Sequence, residues 1–169
     1  VAGAVRFVKT RQGGTAHRIG VFGLSMGAVA AILAAAACPE IGAVVSDSSY
    51  TRLDHAVRWA YRGLWGPAAL LFYAPTRWLG ERLMGTAMPD VSPLDAIGRI
   101  RPRPILLIHG TQDRLIDPAD AQALHRRAGD PKTLWLVEGA DHAETRAAAA
   151  GEYDTRVAGF FRQHLGGRL

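Results

Sequence analysis

A chain of 169 residues with 49% apolar content and a mean hydropathy of +0.03 is long enough to close one domain around a sizeable core, with the balance of a soluble globular protein. The net charge of +5 rests on dispersed arginines, with Lys9 and Lys132 the only lysines, and dispersal argues against a nucleic-acid groove. One cysteine, Cys38, excludes an internal disulfide, and the absence of H-E-x-x-H or C-x-x-C spacing implies neither a metal nor another cofactor.

In chain order, residues 1–9 read as part of a helix and Gln12-Gly13-Gly14-Thr15 as a loop. The chain shows no initiator methionine and no recognisable signal peptide, so its start reads as cut, with the cytoplasm the favoured compartment. Residues 19–24 form an apolar strand pattern that turns into an alanine-rich helical run at 28–37. Gly23-Leu24-Ser25-Met26-Gly27 sits at the change. A serine on so tight a strand-to-helix turn is expected to be strained, with its hydroxyl lifted clear of the sheet and Gly23 and Gly27 bare because strand and helix approach closely. The helix that follows aims its unpaired N–H groups at the same spot, so the Met26 amide is a candidate oxyanion donor. The plainer reading of Ser25 is a helix N-cap.

A hydroxyl near neutral pH needs a base, and the base needs an orienting acid. A second strand is predicted at 41–46 and is followed by Ser46-Asp47-Ser48-Ser49, so Asp47 is one candidate acid, although the run also reads as an ordinary turn. Residues 50–101 interrupt the strand alternation and read as a helical cap with Trp59, Trp65, Phe72 and Trp78. These aromatics either line an apolar substrate pocket or pack the cap onto the body. Membrane contact is a third reading, given Arg58, Arg62, Arg77 and Arg82, but Pro67, Pro75 and the short apolar run argue against a spanning helix.

A third strand at 104–109 runs into Gly110-Thr111-Gln112-Asp113-Arg114, which places Asp113 on the loop. Asp117 before Pro118 reads as the cap of the next helix, with Asp120 in its first turn. The fourth strand, 133–138, ends in Gly139-Ala140-Asp141-His142, and His142 alone of the six histidines lies on a loop after the last strand. A final helix over 151–165 gathers Tyr153, Val157, Phe160 and Phe161 on one face. The order Ser25, Asp113, His142, each just past a strand, matches one chain order known for a serine–acid–histidine set. Asp113 is favoured over Asp47 as the acid.

The segments G-L-S-M-G, H-G-T-Q-D-R-L-I and G-A-D-H-A-E, which span nearly the whole chain, resemble the C-terminal portion of an α/β-hydrolase. The nearest types are prolyl-oligopeptidase-like, dienelactone-hydrolase-like and serine-aminopeptidase-like serine hydrolases. The resemblance implies a partial α/β-hydrolase fold in a single domain over 1–169, a parallel sheet with flanking helices and a cap at about 50–101. It also implies that the strands before this point, with the loop for the second oxyanion donor, are missing. Ser25 would be nucleophile, His142 base and acid, and Asp113 the orienting acid, acting on an ester or peptide substrate with an acyl group. Acyl transfer by the same residues, or an inactive fragment that binds a partner along its exposed first strand, are the alternatives.

Overall fold

In the computed structural model, residues 1–11, 19–85 and 91–166 are described. The predicted loop at 12–15, His17 and a short stretch of the cap at 86–90 lie outside them. Four apolar runs form strands β1 (Ile19–Leu24), β2 (Ile41–Asp47), β3 (Ile105–Gly110) and β4 (Lys132–Val137), hydrogen-bonded in the order β1-β2-β3-β4. All three pairings are parallel. Strands of one direction require a crossover between neighbours, and each crossover here leaves from the same edge of the sheet, so the four carboxyl ends lie side by side.

Period-two alternation divides the core. Val44, Ile105 and Leu107 point to one face, where they meet Ile32 and Ala35 of α2 (Met26–Ala37) and Leu124 of α6 (Pro118–Arg127). Val45, Leu106 and Ile108 point to the other and meet Tyr153, Val157, Phe160 and Phe161 of α8 (Glu152–Leu165). The stripe expected on the last helix is therefore its buried face. The first helix, α1 (Ala2–Arg11), sets Val5 against the α2 side. Among the described residues β1 has a partner on one side only, and Phe22 and Leu24 are exposed.

Between β2 and β3 the chain makes α3 (Leu53–Trp65) and α4 (Leu70–Met84), joined by a short 3-10 turn at Pro67–Ala69, then the single-turn α5 (Pro93–Ala96). Asp54 binds the helix pair together, accepting from Tyr73 Oη, from Arg58 and from Arg77. Pro75 lies inside α4 at an exposed position, where it removes one backbone hydrogen bond. No helix among the described residues is long and apolar enough to cross a membrane. Before α8 the chain makes one further turn of helix, α7 (Thr145–Ala148).

Candidate active site

The carboxyl end of β1 builds the first part of the site. Leu24 is in register with Asp47, and the Ser25 N–H donates to the Asp47 carbonyl at 2.8 Å, which ties the turn to β2. Ser25 then takes φ 55° and ψ −120°, a conformation that side chains avoid. Helix α2 begins one residue later. A Cβ on Gly23 would stand 2.1 Å from the Gly27 carbonyl oxygen, so glycine is compulsory there. Gly27, expected from the sequence to be bare for the same reason, is not so constrained: a Cβ on Gly27 meets nothing within 4 Å, because it is Gly27's backbone, not its side-chain position, that approaches the strand. Ser25 makes no side-chain capping bond to α2.

Its hydroxyl goes elsewhere. Ser25 Oγ lies 2.9 Å from His142 Nε2, and His142 Nδ1 lies 2.8 Å from Asp113 Oδ2. Three loops, following β1, β3 and β4, thus contribute one residue each to a continuous hydrogen-bonded chain. The acid loop folds around its own aspartate: Asp113 Oδ1 accepts from the amides of Leu115 and Ile116 at 2.9 and 2.8 Å. The buried His109 places Nε2 3.2 Å from Asp113 Oδ2. Burial pushes the Asp113 carboxyl up, but the hydrogen bonds from His109, His142 and the Ile116 amide outweigh it and hold the acid well below the usual carboxylate range. His142 is raised above the ordinary histidine value, first by its bond to Asp113 and then by the charges of Asp113, Asp141 and Asp47, against the lowering effect of burial.

The loop carrying His142 is itself secured. Asp141 accepts from the Arg114 amide at 3.0 Å and from Arg114 Nε at 2.6 Å, which fastens the histidine loop to the acid loop. A Cβ on Gly110 would stand 2.3 Å from the Ala140 carbonyl, so β3 can end this close to the same loop only as glycine. Met26 opens α2, and a helix leaves its first amides without an intrahelical partner. With Nε2 lone pair facing the hydroxyl and Nδ1 facing a carboxylate, the imidazole is placed to take a proton from Ser25 and to be stabilised once it holds it.

The other acids have separate employment. Asp117 caps α6, accepting from the Ala119 amide at 2.9 Å. Asp120, read from sequence as a first-turn residue only, is buried and accepts from Thr51 Oγ1 at 2.8 Å and from the Thr51 amide at 3.1 Å, with His55 Nδ1 at 3.2 Å from it. Asp47 is fully buried and does not bond His142; its carboxylate receives hydroxyls. The four cap aromatics part company. Trp59 reaches the acid loop, donating from Nε1 to the Asp113 carbonyl at 3.4 Å. Trp65, Phe72 and Trp78 are 66%, 67% and 63% exposed, and the cavity that Trp59 lines does not include them. The reason is that Trp65 ends α3 at an exposed position, while α4 turns an apolar flank to solvent and, among its described side chains, buries only Tyr73 deeply. A cavity of about 460 Å³ does lie between α3 and the acid loop, with Trp59, Arg62, Gly63, Gln112, Asp113 and Arg114 among its walls. Ser25 and His142 are not among the residues that line it.

Sequence reasoning passed over His109, Thr145 and Tyr153. Each stands at a position where strand-end or helix packing is the ordinary explanation, and only contacts across the fold mark them out.

Over residues 1–168 the chain matches the prolyl oligopeptidase family. It belongs to that family. Among curated relatives of this prolyl oligopeptidase family member, the uncharacterized protein YqkD of Bacillus subtilis (strain 168) is 30% identical over 133 residues, which is 76% of this chain and 43% of that protein. The Pyrococcus furiosus esterase Pf2001 superposes with a TM-score of 0.74 at 27% identity, covering 96% of this chain and 60% of the esterase. The Pyrococcus horikoshii acylaminoacyl peptidase, at 18% identity and a TM-score of 0.70, covers 99% of this chain and 27% of its own. The chain therefore spans less than two thirds of each of these three proteins, and its fold is a partial α/β-hydrolase fold within a family of hydrolases.

Proposed function

We propose that this family member is a serine hydrolase that cleaves carboxylic esters, or the related amide bond, through an acyl-enzyme. The observation that carries the reading is the unbroken run Ser25 Oγ to His142 Nε2 to Asp113 Oδ2, at 2.9 and 2.8 Å, starting from a serine held in strained backbone. His142 takes the hydroxyl proton as Ser25 Oγ attacks the acyl carbon. The developing oxyanion draws on the Met26 amide at the N-terminus of α2. Imidazolium then returns the proton to the leaving alcohol or amine as the carbonyl re-forms, leaving the acyl group on Ser25. Water, deprotonated by the same nitrogen, releases the acid. Asp113 keeps its charge throughout and fixes which ring nitrogen faces Ser25.

The esterase among the solved relatives supports ester substrates, and the prolyl oligopeptidase family supports amides beside them. In the full-length protein, a fluorophosphonate is expected to label Ser25, and Ser25→Ala is expected to lose both the label and turnover of short acyl esters. Wild-type turnover retained by purified Ser25→Ala would overturn the proposal.

A further inference from the structure

Asp47 occupies the carboxyl end of β2 beside the proposed nucleophile, yet the run of residues just described does not use it. Its carboxylate has no exposed surface, and no basic side chain pairs with it among the described residues. Three hydroxyls take the place of a cation: Ser48 Oγ donates to Oδ1 at 3.0 Å, and Thr145 Oγ1 and Tyr153 Oη both donate to Oδ2 at 2.6 Å. Taking a carboxylate out of water is costly, and a buried anion answered only by neutral donors would be better replaced by an apolar side chain if packing were its sole task. The donors come from two places that matter. Thr145 follows His142 by three residues at the start of α7, and Tyr153 stands in the first turn of α8. On the other side, the Asp47 backbone carbonyl holds the Ser25 amide at 2.8 Å. One residue thus grips the serine turn with its main chain and the far end of the histidine loop with its side chain.

We infer that Asp47 is a positioning residue: it holds the Ser25 turn and the His142 loop in one frame, and its negative charge, together with that of Asp113, sustains His142 when it carries the proton. This rests on the hydrolase reading above. The charges facing His142 are Asp113 on the acid loop, Asp141 on its own loop with Arg114 bound to it, and Asp47 on β2; the serine turn contributes only a hydroxyl. Of these, Asp47 is the anion that neither touches the ring nor is neutralised by arginine. Tyr153 bears the same signature from the other side, since burial and then the Asp47 carboxylate raise its hydroxyl far above the usual phenol value, so it remains a donor.

Charge and tether separate by substitution. Asp47→Asn keeps the shape, and the hydroxyls can turn to accept from its amide, so the frame survives without the charge. Thr145→Val keeps the charge and cuts the link to the histidine loop, and Thr145→Ser restores it. In full-length protein without substrate, the titration of the His142 ring followed by NMR is expected to move to lower pH in Asp47→Asn. Thr145→Val is expected to slow fluorophosphonate labelling of Ser25 about tenfold, with ester KM little changed, and Thr145→Ser to recover most of the rate. An unmoved His142 titration in Asp47→Asn, or labelling as fast in Thr145→Val as in wild type, overturns the inference even if both variants melt earlier. Because the titration needs no substrate, absence of Ser25 labelling in the wild type would instead count against the hydrolase reading alone.

Discussion

His142 is the residue whose protonation state the proposed chemistry depends on, and its surroundings dictate the pH profile. The ring works as a base only when Nε2 is bare, so activity is lost as pH falls through its folded value. That value is raised, chiefly by Asp113. The acid limb of kcat/KM is therefore expected above about pH 6.5, the ordinary histidine position; a limb well below it, measured on a neutral ester, would contradict the arrangement. Asp113→Asn removes the principal cause. It is expected to lower kcat by roughly two to four orders of magnitude and to move the acid limb downward, because the amide can no longer hold the productive tautomer or balance the imidazolium. The two titrations also oppose each other in stability. Asp113, held low, stabilises the fold above about pH 4 and loses that contribution as pH falls further, whereas raised His142 contributes below about pH 6.5 and loses its share as pH climbs.

Among the elements, α3 decides how the cap meets the body. A Cβ on Gly63 would stand 2.6 Å from the Arg114 carbonyl oxygen, so the helix can approach the acid loop this closely only with glycine there. Gly63→Ala would improve intrinsic helix propensity, yet it is expected to lower kcat by displacing Asp113's loop; steady-state kinetics beside circular dichroism would separate the two effects. Trp65, Phe72 and Trp78 make the opposite case. Being largely exposed, each is expected to change stability by no more than about 0.5 kcal/mol on replacement with alanine, read as an almost unchanged Tm. Their apolar spacing is legible in the sequence, but which flank of a helix faces the body is not, since an isolated amphipathic pattern carries no record of its neighbour. The strands were easier. Their apolar runs, bounded by glycine, proline and polar turns, stand out, those of β2 and β3 because both their faces are buried, and predicted and observed limits differ by a residue at most.

At the scale of the molecule, Arg103 binds distant pieces of chain together. Its guanidinium donates to the carbonyls of Ala35 and Cys38 at the end of α2, of Ile41 at the start of β2, and of Ile100. Arg103→Met fills similar volume and strands those acceptors, so a loss of about 2–4 kcal/mol is expected, visible as an earlier urea midpoint with Ser25 labelling intact at low temperature. Arg103 reads in the sequence as one more dispersed surface arginine, and so does Arg114. What the sequence by itself determined is the alternation of strand and helix, the parallel sheet it requires, and the placing of Ser25, Asp113 and His142 just past three strands, because chain direction alone puts every such loop at one edge. Only the tertiary structure decided which acid meets the imidazole. Asp113 and Asp47 both end up at that edge, and the choice between them turns on side-chain reach across strands, where the hydroxyls of Thr145 and Tyr153 occupy one carboxylate and leave His142 to the other.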